Sequence, residues 1–220
     1  MNTNKFIKPW NFNFKAFFML CGFLFITTIL SAQNILEKEL TVENIETIVI
    51  NGNQIFKISV STSKTDKIKI LSTLDGEYQN EFQVVSRVNN HTLTLGLEHL
   101  SFLEIPDDKR NAHKVIAATL RMEIPEDLSL QILSDIGSVD MKGGFKSLYI
   151  ELLQGGCDVE GTSKTATINT LDGDISVVTK SAFVEANSNH GKVTIASFYN
   201  ATSIWKLKSI NGNITVVKPD

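Results

Sequence analysis

The chain has 220 residues, with 21 basic and 24 acidic side chains. Its first 32 residues hold three lysines and no acid, so the remainder carries 18 basic against 24 acidic groups, a formal net charge of −6. That balance, with no Lys/Arg run and no interleaving of aromatic and basic residues, argues against nucleic acid as a partner, and a single cysteine beyond residue 32, Cys157, excludes an intramolecular disulfide.

In chain order, Lys5, Lys8 and Lys15 precede an apolar run at residues 16–30, which has signal-peptide length and is too short to span a bilayer comfortably. Ser31 and Ala32 supply the small residues of a cleavage site, placed between Ala32 and Gln33. An uncleaved N-terminal anchor is the competing reading. Leu20 stands before Cys21 where a lipoprotein signal needs a small residue, so Cys21 is expected to leave with the signal. The mature protein is then exported and not membrane-spanning, residing in the periplasm, at the outer membrane or outside the cell.

From Thr47 onward apolar residues recur with a period of two, and no window shows helical spacing, so the protein reads as all-β. The alternating sets are Ile48/Ile50, Phe56/Ile58/Val60, Ile68/Ile70, Phe82/Val84, Leu93/Leu95/Leu97 and Ile116/Ala118/Leu120/Met122/Ile124, separated by turn signals such as Asn51-Gly52-Asn53 and Asp75-Gly76. Residues 106–111 form a charged, solvated loop. His91, His99 and His113 have no metal-ligand spacing. An N-terminal β region is expected over 33–126, continuous with a different region over 127–220.

The second region repeats. Gly137, Gly155, Gly173 and Gly191 lie eighteen residues apart, and the residues two and four later are Val139/Met141, Cys157/Val159, Ile175/Val177 and Val193/Ile195. Gly212 follows after twenty-one residues, leading Ile214/Val216. Seven and five positions before the glycines stand Leu130/Ile132, Leu148/Ile150, Ala166/Ile168, Val184/Ala186 and Trp205/Leu207. A unit with two short strands and a glycine turn cannot bury its inner face alone, so copies must stack as parallel ladders about 4.8 Å apart in coils roughly 60 Å around. The fold expected is a single-stranded β-solenoid of about 18-residue rungs, with glycine at corners that need positive φ. A hexapeptide helix fits poorly, since steps of six from Val139 reach Phe145, Glu151 and Asn169. A β-sandwich of hairpins stays open, although hairpins have no reason to hold one spacing.

Stacking in chain order puts Asp172 under His190, Asp174 under Lys192 and Asp140 beside Asp158. The first two read as cross-rung charge pairs, the third as a solvated pair or a Ca²⁺ or proton-sharing dyad. No third ligand or nucleophile joins these columns, so no metal, cofactor or catalytic residue is assigned. Cys157 falls in a core column. The three-residue insertion carries Phe198 and Tyr199, the candidate partner-binding loop, whose bland alternative is a cover for the stack's open end. Val216 and Val217 form the last edge, blunted only by Lys218 and Pro219, which offers a route to end-to-end self-association.

The Gly-x-Φ-x-Φ repeats at residues 172–177 and 211–216, with the lead-in Ile124-Pro125 and Leu128-Ser129-Leu130, resemble the bacterial adhesin-like β-solenoid families of unknown function, of auto-transporter-adhesin-like or head-domain type, from Bacteroidetes-like cell envelopes. The resemblance spans residues 41–217 and implies a right-handed solenoid with no enzymatic residues to carry over. Two function classes follow: a non-enzymatic envelope scaffold that presents a surface to a glycan or protein, or a carbohydrate-active β-helix enzyme such as a lyase or hydrolase.

Overall fold

Every regular element of the described residues is a strand; these residues are 34–76, 79–100, 117–199 and 201–219 of a computed structural model. The signal segment with Ala32 and Gln33, the loop 106–111, His113 and Ile116 lie outside them. In order the strands are β1 (Asn34–Thr41), β2 (Thr47–Asn51), β3 (Ile55–Ser63), β4 (Lys67–Asp75), β5 (Phe82–Asn89), β6 (Thr92–His99), β7 (Ala117–Pro125), β8 (Ser129–Ile136), β9 (Ser138–Gln154), β10 (Cys157–Asp172), β11 (Ile175–Val178), β12 (Phe183–Ser188), β13 (Val193–Ile195), β14 (Ile204–Ser209) and β15 (Ile214–Val217). The all-β expectation holds.

The strands join in two ladders. One runs β5-β6-β2-β8-β9-β10-β14-β12 and the other β1-β4-β7-β3-β9-β10-β11-β15-β13. The long strands β9 and β10 belong to both, their first halves to the second ladder and their second halves to the first. The sheet is mixed: β1-β4-β7 and β5-β6, in the N-terminal region whose pairing the sequence left open, are antiparallel, and the other pairings are parallel. The β5–β6 hairpin turns through Asn90 and His91, both at positive φ as its tight turn requires.

A pair of strands flanking one corner makes a tier. The eighteen-residue offset appears where Val139 pairs with Cys157 and Cys157 with Ile175. It then breaks. Ile175 pairs with Ile214, and only Ile214 pairs with Val193, so the last copy in sequence is inserted before the fourth. Its other strand does the same, Trp205 lying between Ala166 and Val184. The opposite end repeats the device, because β2 and β3 sit between β6/β7 and β8/β9.

Side-chain volume explains the inserted order. The column Ile48, Leu130, Leu148, Ala166 narrows at Ala166, and Trp205 fills the room, fully buried with its indole N–H donating to Ser163 O at 3.3 Å. Val184 in that position would leave a void over Ala166 and put Trp205 at the open end. Dense packing favours the observed order.

The glycines are required chiefly for close approach. A Cβ on Gly155 would lie 2.1 Å from Gly137 O, on Gly173 2.0 Å from Gly155 O, on Gly212 1.9 Å from Gly173 O and on Gly191 2.0 Å from Gly212 O. Positive φ adds to this at Gly137 and Gly155. Hydroxyls three residues earlier lock several corners. Ser209 Oγ donates to Gly173 O and accepts from the Gly212 N–H, Ser188 repeats the pattern with Gly212 and Gly191, and Thr170 Oγ1 donates to Gly173 O.

Ile48, Ile50, Ile58, Leu93, Leu95, Leu120, Ile132, Ile150 and Ile168 face one continuous core with the columns above. Fully burying each such side chain contributes about 1.5–3 kcal/mol. Phe56 departs from the expected alternation: the register of β3 against β7 shifts between Ile55 and Lys57, so Ile55 is buried and Phe56 turned outward.

Candidate functional site

The outward face of the second ladder holds a groove of about 440 Å³ whose rows follow from strand register. Arg121, Ser59, Asp140, Asp158 and Ser176 are successive neighbours on β7, β3, β9, β10 and β11, and Ser61, Lys142 and Glu160 form the adjoining row. All line the groove. Inward-facing Val60, Met122, Met141 and Val159 fix these outward positions, since a strand that buries one face must turn the other out. The serines leave a trough between longer charged side chains.

The charges are unevenly matched. Lys57 Nζ lies 2.7 Å from Asp140 Oδ2, and Lys142 Nζ 3.0 Å from Glu160 Oε2. Asp174 Oδ1 accepts from the Asn213 backbone N–H at 2.6 Å. Asp158 and Arg121 have neither ion pair nor side-chain hydrogen bond among the described residues. Partial burial pushes the Asp158 carboxyl above its ordinary pKa, Asp140 and Asp174 push the same way, and Lys57 opposes them. The groove therefore offers one free carboxylate, one free guanidinium and several hydroxyls, a set suited to hydrogen-bonding a polyhydroxylated or polar ligand.

The structure brings Asp140 and Asp158 together as the sequence placed them, and adds Lys57, which the repeat could not reveal because it comes from the N-terminal region. It separates the other two pairs. The inserted tier puts Asn211 and Asn213 where direct contacts were expected: His190 Nδ1 is 2.7 Å from Asn211 Oδ1, and the Lys192 N–H donates to Asn213 Oδ1 at 2.9 Å. Among the described residues no three His, Cys, Asp or Glu side chains are grouped to hold a metal ion. Cys157 is buried in its column, and burial, with Asp158 and Asp140 beside it, drives its thiol pKa far up, so it is not a nucleophile. His91 Nδ1 meets Asn44 O at 2.8 Å, and His99 packs edge-on against Phe82.

Phe198 and Tyr199 take different places. Phe198 is half-buried against the core, whereas Tyr199 is 82 % exposed. Lys218 Nζ stands 5.8 Å from the Phe198 ring centre and 5.7 Å from that of Tyr199, cation–π distances that tie the C-terminal strand's extension to the loop. The loop lies apart from the groove-lining residues.

No protein-family model matches this chain, and no curated protein does. Solved structures do. A "putative cell adhesion protein" from Clostridium sporogenes superposes with a TM-score of 0.62 at 14 % identity, covering 86 % of this chain and 100 % of that one. The two share a fold. A "putative adhesin" from Bacteroides fragilis (TM-score 0.37, 12 % identity, 86 % of this chain and 99 % of that) and another from Parabacteroides merdae (0.29, 12 %, 85 % and 97 %) match less well.

Proposed function

We propose that this chain is an exported, adhesin-like, non-enzymatic cell-envelope protein, a right-handed β-solenoid scaffold that presents the outward face of its second ladder to a glycan or protein. The observation that carries this reading is the groove across five consecutive strands, where Arg121 and Asp158, unpaired among the described residues, flank a serine-lined trough. A ligand lying along the stack would meet polar groups at each strand spacing of about 4.8 Å, which suits an extended polymer. Likeness to a solved structure described as a "putative cell adhesion protein" supports the class.

A glycan array probed with the chain from Gln33 tests it. Binding is expected, and Arg121→Ala combined with Asp158→Asn should weaken it at least tenfold, with the melting temperature lowered by no more than a few degrees. Binding unchanged in the double variant removes the groove from the reading. The second reading, a carbohydrate-active enzyme, draws on the neighbouring carboxylates Asp140 and Asp158 and the raised proton affinity of Asp158. Glycan cleavage by the parent chain, abolished in Asp158→Asn, would replace the scaffold reading with it.

A further inference from the structure

The tier of β12 and β13 is unlike the others. Val193 and Ile195 occupy inward columns whose other members, Val139, Cys157, Ile175 and Ile214 in one and Met141, Val159, Val177 and Val216 in the next, are at most 2 % exposed. Val193 and Ile195 are 36 % and 40 % exposed. Among the described residues β12 pairs with β14 alone and β13 with β15 alone, so each leaves one edge of backbone N–H and C=O groups without a ladder partner there. The expected last edge, β15 with Val216 and Val217, is instead interior to the ladder.

The two ends also differ in outline. Here both ladders stop on one tier, so the end is level. At the other end β5 extends the first ladder one strand beyond β6, while β4 and β1 extend the second two strands beyond β7, so that end is stepped.

We propose that the level end is a self-association face on which a second copy of this chain docks about a twofold axis, β12 antiparallel to β12, so that the two cores become continuous. A level end is matched by another level end. Head-to-tail stacking would set it against the stepped end and leave one ladder a strand short. Like already packs on like along these columns, so the inward residues of a second copy have the right chemistry to cover Val193 and Ile195. Charge narrows the register and the length of β12 favours a centre near its middle. Antiparallel neighbours must face the same way, and a pair centred on Ala186 puts Glu185 opposite Asn187 and Val184 opposite Ser188. Centring on Glu185 would oppose two carboxylates.

The proposal is independent of the groove and is tested on the chain from Gln33, which spans the compact unit of residues 33–220. Sedimentation equilibrium should give the mass of two chains at micromolar concentration. Val193→Lys with Ile195→Lys should raise the dissociation constant at least tenfold. Ala186→Cys should give a disulfide-linked dimer on oxidation, because central antiparallel partners have Cα atoms about 4.5–5.5 Å apart, within disulfide reach. Phe183→Cys, far from the centre, should not, and the buried Cys157 stays silent. A single-chain mass at every concentration, a dimer indifferent to the lysines, or a dimer that Ala186→Cys fails to cross-link overturns the proposal.

Discussion

The two ends of the stack solve one problem in different ways. At each, a segment near the end of the described chain is tucked inside the terminal tier: β2/β3 within β6/β7, and β14/β15 within β12/β13. Beyond that the N-terminal end adds antiparallel strands, whose edges carry Glu37, Lys38, Glu39 and Arg87, the last bound to Glu98. Among the described residues the C-terminal end adds no further strand, and core columns reach solvent there. Insertion secures the chain at both ends, because a tucked tier is bonded on two sides; protecting an edge from other chains takes further strands or a partner.

The sharpest way to break the comparison is at the side chain that determines the C-terminal insertion. Trp205→Ala removes the filler over Ala166 and should cost about 3–5 kcal/mol. Ile48→Val, in the same column of the N-terminal inserted tier, should cost about 0.5–1.5 kcal/mol. Urea melts of both variants measure the difference. Equal losses would mean that the C-terminal order does not depend on indole volume. Hydrogen exchange should show β12 and β13 freed in Trp205→Ala while β1 and β5 stay protected.

Glycine separates the regions next. Gly173→Ala drives a methyl against Gly155 O, backbone that moves only if two tiers separate, and should cost about 1–3 kcal/mol. Gly96 lies on β6 of the N-terminal end, where a Cβ would meet Asn51 Cβ at an ordinary 3.5 Å. Gly96→Ala should therefore be neutral or stabilise by about 0.4–1 kcal/mol through the unfolded chain. Thermal melts should show a loss for Gly173→Ala and none for Gly96→Ala if close approach, and not glycine content, is what holds the tiers.

The period of eighteen was legible because a carbonyl packed against each corner admits no Cβ, and that requirement prints a glycine at every copy. Hydroxyls at Thr170, Ser188 and Ser209 printed a second signal, three residues ahead of Gly173, Gly191 and Gly212, which sequence reading passed over. Tier order was not legible from pattern. The fourth and fifth copies present the same apolar alternation and fit either position by register, so the choice rests on the volumes of Ala166 and Trp205. The pairing of β2 with β8 was hidden for another reason: strands distant in sequence and joined by no period leave no spacing to find. In the groove, Asp140 beside Asp158 followed from the period, whereas Lys57 and Arg121 depended on the unseen pairings of β3.

The smallest expected effect belongs to the groove. The folded state holds the Asp158 proton more tightly than the unfolded chain does, through partial burial, Asp140 and Asp174. Between the unfolded and the raised folded pKa the native state therefore binds more protons, and stability falls as pH rises through that window. Above it Asp158 is charged in both states and its destabilising contribution is complete; below it the contribution vanishes. Asp158→Asn should thus melt slightly higher than the parent at neutral pH, with the advantage disappearing on acidification. Melting curves across that range check the sign. An Asp158→Asn advantage that grows on acidification would show the carboxylate to be stabilised in the fold, with Lys57 outweighing Asp140 and Asp174.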